Sequence, residues 1–94
     1  MKITSLSIVT TPQTWASGDR LLAFFDIEYA GIQMRDAMLV RGVRTKTLIA
    51  QPPKGENRLG ERAVRIIDPD IREAIAAAAY AAFVALGGIE ADAA

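Results

Sequence analysis

Apolar and polar positions alternate along the first half of the chain and then give way to one long, mostly apolar stretch. "KITSLSIVT" is short and rich in Ile, Val and Thr, and it reads as a strand that stops before Pro12, since proline brings no amide donor to a ladder. "RLLAFFDIEY" and "IQMRDAMLVR" flank Ala30-Gly31 and predict a hairpin with a two-residue turn, glycine supplying a positive φ. In an unbroken register Tyr29 meets Ile32, Ile27 meets Met34, Ala23 meets Met38 and Leu21 meets Val40, which makes one apolar face. The other face pairs Asp26 with Arg35 and Glu28 with Gln33. Asp36 breaks the pattern: it falls opposite Phe25 on the apolar face, where an unpaired carboxylate is costly. It is expected to bond backbone amides or an arginine at a sheet end, the alternative being a site carboxylate. "TKTLIAQ" predicts a fourth strand ended by Pro52-Pro53, "KGENRLGE" a polar loop, and "RAVRII" a possible short fifth strand. Trp15, in the loop "TPQTWASGD", is expected to act as a lid over one end of the core.

The apolar stretch carries helix signals at both ends. Asp68 suits the N-cap, Pro69 the first helical position, Asp70 the first turn and Gly87 the stop. Ile71, Ile75, Ala78, Ala82 and Leu86 form one stripe, yet Ala76, Tyr80, Phe83 and Val84 leave the opposite side apolar as well. A helix that is apolar all round is covered on more than one side. The expectation is an α+β fold: a small antiparallel sheet of four to five strands with a C-terminal α-helix packed on it, in a single domain over residues 1–88. A second subunit, giving a homodimer, or the Trp15 loop covers the helix's far side. Residues 89–94 read as a disordered C-terminal tail.

Composition narrows the chemistry. Ninety-four residues, 51% of them hydrophobic, support one small core. With no cysteine and no histidine the chain lacks a thiol nucleophile, a thiolate metal site, the usual general base and the commonest transition-metal ligand. Asp26 and Asp36 point to opposite faces in the register above, so they do not form a catalytic pair, and "KGENRLGE" lacks the glycine-to-lysine order of a phosphate-cradling loop. The expectation is a protein that is not an enzyme and uses no cofactor or metal. "MKITSLSIVTT" is too interrupted by Thr and Ser for a signal peptide, and the uncharged run from Ala74 to Ile89 is too short and alanine-rich for a membrane span. Those features predict a cytoplasmic protein without a membrane partner.

The formal net charge of zero conceals a strong asymmetry. From Arg41 to Arg65 there are seven basic and two acidic residues, a net +5; residues 1–40 carry −1 and residues 66–94 carry −4. A basic segment of this kind is the electrostatic footprint of a polyanion site. Lys54, Arg58 and Arg62 in the loop, with Arg41, Arg44, Lys46 and Arg65 beside them, are the candidate nucleic-acid-binding residues. No aromatic residue lies between Arg35 and Ile67, so base stacking is not offered there and duplex DNA or structured RNA is the expected partner. The alternative is a solvated basic face on a dimerising structural or protein-interaction module.

The order of these segments resembles the stage V sporulation protein G family, the septation regulators. The resemblance spans about Ile3 to Phe83 and is carried by "IQMRDAMLV" with Arg35-Asp36, by "LIAQP" leading to Lys54, and by "IREAIAAAAY". The family typically follows its strand-ending proline with a small residue and then basic residues; Pro53, Lys54 and later Arg58 stand at those places here. The resemblance implies a small dimeric bacterial α/β domain that binds nucleic acid in a regulatory role.

Overall fold

The structure is a computed structural model and describes residues 1–90. Four strands, β1 (Lys2–Thr14), β2 (Arg20–Tyr29), β3 (Ile32–Arg41) and β4 (Leu48–Gln51), form an antiparallel sheet in the order β1-β2-β3-β4. One helix, α1 (Pro69–Ala85), follows and touches both edge strands as well as β3. Among the described residues no helix is long and apolar enough to cross a membrane.

The β2–β3 hairpin begins in the expected register, with Tyr29 opposite Ile32, Glu28 opposite Gln33 and Ile27 opposite Met34. Its turn has Ala30 at φ 52° and Gly31 at φ 79°, the two positive values of a type I′ turn. Alanine is strained there because its Cβ crowds the following carbonyl. Ala30→Asn is therefore expected to stabilise the fold by about 0.5–1 kcal/mol. A raised urea midpoint at unchanged slope is the check; no rise would mean the turn is not of this type.

Beyond Met34 the regular register fails. Arg35 and Asp36 together oppose Asp26, so that Phe25 faces Ala37, Phe24 faces Met38 and Ala23 faces Leu39; Leu22 then restores the register on the other strand. The extra residue is a β-bulge. Asp36 takes φ 57°, and its amide donates to Asp26 Oδ1 at 3.0 Å. Asp26 thus caps the bulge instead of pairing with Arg35, and the carboxylate that a regular ladder would bury opposite Phe25 is exposed to solvent. The bulge also changes which side chains share a face. Ala23, Phe25, Ile27, Ala37, Leu39 and Ala50 pack on α1, whereas Leu21, Met38 and Val40 form a second cluster on the opposite face, with Val9, Trp15 and Ile49 against it. Trp15 is a lid, but over that second cluster.

β1 runs on through Pro12 to Thr14, beyond the expected stop. Its pairing with β2 is irregular between Ile8 and Gln13, on an edge strand where a missing amide is tolerated. The possible fifth strand is absent: Arg62 forms only an isolated bridge to Glu56.

α1 starts as expected. Asp68 Oδ1 accepts from the amides of Asp70 (2.9 Å) and Ile71 (3.4 Å), and Pro69 occupies the first turn. Its end is a Schellman turn: Gly87 N donates to Val84 O (3.0 Å) and Gly88 N to Phe83 O (2.8 Å), with Gly87 at φ 89°. The buried stripe is Ile75, Ala76, Ala79 and Phe83, flanked by Ile71 and Tyr80. It is rotated from the expected one, since Leu86 is exposed, and the outward side is largely alanine, which presents little apolar area per residue. Of the tail, Ile89 and Glu90 are described and Glu90 is held by side chains, as set out below; residues 91–94 lie outside the described residues.

Candidate nucleic-acid interface

The basic segment is folded into two turns at opposite ends of β4. The first joins β3 to β4. Gly42 N donates to Thr47 O at 2.9 Å, Lys46 adopts φ 55°, and Thr45 Oγ1 lies 2.6 Å from Thr47 Oγ1. A Cβ at Gly42 would stand 2.8 Å from Thr45 Oγ1, so a larger residue there would have to displace that hydroxyl. Asp19 Oδ1 accepts from Val43 N (2.9 Å), tying this turn to the β1–β2 connection. Arg44 and Lys46 are exposed on it.

The second turn follows Pro52-Pro53 and is more ordered than a polar loop need be. Asn57 N donates to Glu61 O (2.7 Å), Ala63 N to Gly55 O (2.8 Å), and Asn57 Oδ1 accepts from the amides of Leu59 (2.8 Å) and Glu61 (3.0 Å). The result is a small hairpin-like finger, with Gly60 at φ 76° near its tip. Lys54 and Arg58 are exposed on this finger, the latter at the tip. Arg62 Nη1 donates to Pro52 O (3.2 Å), closing the finger's base onto the end of β4. Four strand residues separate the two turns, about 13 Å at 3.3 Å per residue, or roughly four base steps of duplex rise.

Arg41 stands apart from the other six candidates. Its Nε donates to Glu90 Oε1 at 2.7 Å and its Nη2 to Oε2 at 2.8 Å, a bidentate pair; Nη1 donates to Lys46 O at 2.8 Å. The guanidinium also lies 5.6 Å from the ring centroid of Tyr80, whose hydroxyl donates to Glu90 Oε2 at 2.9 Å. Arg41 therefore shapes the β3–β4 turn and anchors Glu90, rather than presenting a free cation. The sequence hid this because Glu90 lies beyond two glycines in a segment that reads as frayed.

The hydrogen bonds from Arg41 hold the Glu90 carboxyl below its ordinary pKa, helped by Tyr80, while the bond to Glu90 raises the Tyr80 hydroxyl and the Arg41 guanidinium. A carboxylate with a depressed folded pKa stabilises the fold at pH values above its unfolded pKa, about 4.3, and that contribution is lost as pH falls through the folded value. Both side chains are only 24% and 20% exposed, so the pair is expected to contribute about 1 kcal/mol near neutrality. The check is the stability difference between the native chain and Glu90→Gln against pH. It should be flat above about pH 5 and shrink below it; a difference constant down to pH 2 would exclude the pair as its source.

Arg72 completes the basic surface and was not among the candidates, because it sits in the acidic C-terminal third of the sequence. The first turns of α1 bring it beside Arg62 and Arg65 around a cleft at the end of β4. Among the described residues no cluster of acidic side chains suits a metal ion. Family models, curated proteins and solved structures yield no match to this chain.

Proposed function

We propose that the chain is a small bacterial, cytoplasmic nucleic-acid-binding regulatory protein of the septation-regulator type, acting as a homodimer that contacts the phosphate backbone of duplex DNA or structured RNA. The observation that carries this reading is the exposure of Arg44 and Lys46 at one end of β4 and of Lys54, Arg58, Arg62 and Arg65 at the other. Arg41 is excluded by its commitment to Glu90. Cations grouped at the two ends of a short edge strand suit contact with a phosphate backbone, and backbone contacts carry no sequence information, so the expected binding is general to sequence.

Each engaged cation contributes about −0.9 to the slope of log affinity against log salt, so two or three per subunit of a dimer give roughly −4 to −5. Lys54→Ala and Arg58→Ala, on the solvent side of the finger, should each weaken binding to all sequences alike and flatten that slope by about one unit per subunit. Arg35→Ala, on β3 away from the finger, should leave it unchanged. Anisotropy titrations with duplex DNA, single-stranded DNA and RNA at several salt concentrations measure this; an unaltered affinity and slope in the folded finger variants would sink the proposal.

A second reading has its own support. Tyr29, Ile32 and Ile67 are exposed, Ile32 to 69% and Ile67 to 86%, beside an apolar cleft of about 260 Å³ that Ile27, Met34, Ile66 and Ile71 also line. A protein-interaction surface is the bland explanation of such a patch. Association through it would be nearly independent of salt.

A further inference from the structure

The cleft between the end of β4, the Arg62 to Ile67 segment and the first turns of α1 has a volume of about 400 Å³. Ile49, Pro52, Ile66 and Ile67 give it apolar walls. Its cations are Arg62, Arg65 and Arg72, and none of the described residues lining it is acidic. Arg62 is fixed at the rim by its bond to Pro52 O, while Arg65 and Arg72 make no ion pair among the described residues. Among the described residues three arginines and no carboxylate line this cleft, while Asp68 and Glu73 line the clefts on either side of it, so an anion seated here meets a locally positive wall. Arginine forks fit phosphate oxygens bidentately.

Size and charge narrow the anion. A water molecule occupies about 30 Å³ of liquid, so the cleft is far larger than one inorganic phosphate needs and lies within the range of small-molecule sites. A terminal phosphate carries about −1.5 to −2 near neutral pH, a better match to three cations than a carboxylate or an internal phosphodiester with a single charge. The apolar walls suit a flat, weakly polar body attached to it, and the Gln51 amide in the lining offers both a donor and an acceptor to its edge. We infer that this cleft is a phosphomonoester site of the nucleoside monophosphate class, filled either by a free nucleotide or by the 5′-phosphorylated end of a strand. The inference does not rest on backbone binding by the finger: a free nucleotide would bind even if duplex binding failed.

Calorimetric titration of the intact chain with AMP, adenosine and inorganic phosphate tests it. AMP is expected to bind at least about tenfold more tightly than either fragment, and Arg65→Gln and Arg72→Gln, both at exposed positions, should each weaken it by about tenfold. Lys54→Ala, outside the cleft, should leave AMP binding unchanged while still flattening the salt slope for duplex. Displacement of AMP by an oligonucleotide bearing a 5′-phosphate, and not by its 5′-hydroxyl counterpart, would identify strand ends as the source of the ligand. Displacement by neither would leave the free nucleotide. The inference is overturned if AMP binds no better than adenosine, if both arginine variants retain full affinity, or if Lys54→Ala weakens AMP as much as they do.

Discussion

Phe83→Ala is expected to destabilise the fold by about 3–5 kcal/mol, the cost of an emptied aromatic site. Phe83 is 2% exposed and stands in the last turn of α1, where it enters the core shared with Phe25, Ile27 and Leu39. Its ring stacks on Tyr80 with centroids 5.8 Å apart. The neighbours on the buried stripe are Ile75, Ala76 and Ala79, so most of the helix's hold on the sheet comes from Phe83 and Ile75, the alanines serving to let the backbones approach. In a domain of this size 1 kcal/mol moves the melting temperature by about 4–8 °C, and the variant should melt roughly 12–40 °C lower. Differential scanning calorimetry is the measurement. A loss below 1 kcal/mol would mean that the C-terminal half of α1 is not docked as described.

Gly88→Ala is expected to cost about 1–3 kcal/mol, although the residue is a glycine next to a tail. A Cβ at Gly88 would stand 2.5–2.6 Å from three ring carbons of Phe83, a separation that forces either the ring out of its site or the helix end open. Opening the Schellman turn would also draw Glu90 away from Arg41 and Tyr80. Because the clash is with one ring, the two substitutions are coupled. In the Phe83→Ala background the methyl group enters vacated space, and Gly88→Ala should then cost only a few tenths of a kcal/mol. Additive losses in the double-mutant cycle would show that the effect of Gly88 comes from backbone freedom and not from the ring.

The sequence by itself determined whatever depends on near neighbours along the chain. Alternation around Ala30-Gly31 placed β2 and β3 with their bounds, because a two-residue turn and a period of two leave little choice close to it. Asp68, Pro69 and Gly87 marked the ends of α1, because capping is a matter of the first and last turns. Asp36 was visible as a misfit, and the bulge is its resolution; that a backbone would absorb one residue, instead of supplying a buried partner, followed from Asp26 lying directly across the sheet. That one residue moved Met38 and Val40 away from the helix, a change that a period-two reading has no means to anticipate. The alanine-rich helix concealed its own buried stripe, since alanine fits either face, and contact with the sheet selected Phe83 over Leu86. Charge was legible only as a total over the segment. Which cations are free depended on pairs far apart in the chain: Glu90 returned over the Schellman turn to neutralise Arg41, and the docking of α1 carried Arg72 from an acidic stretch to Arg62 and Arg65. Local periodicity and capping act over a few residues and can be read from them; ion pairing and clefts are set by which distant segments share space, and only the packed chain decides that.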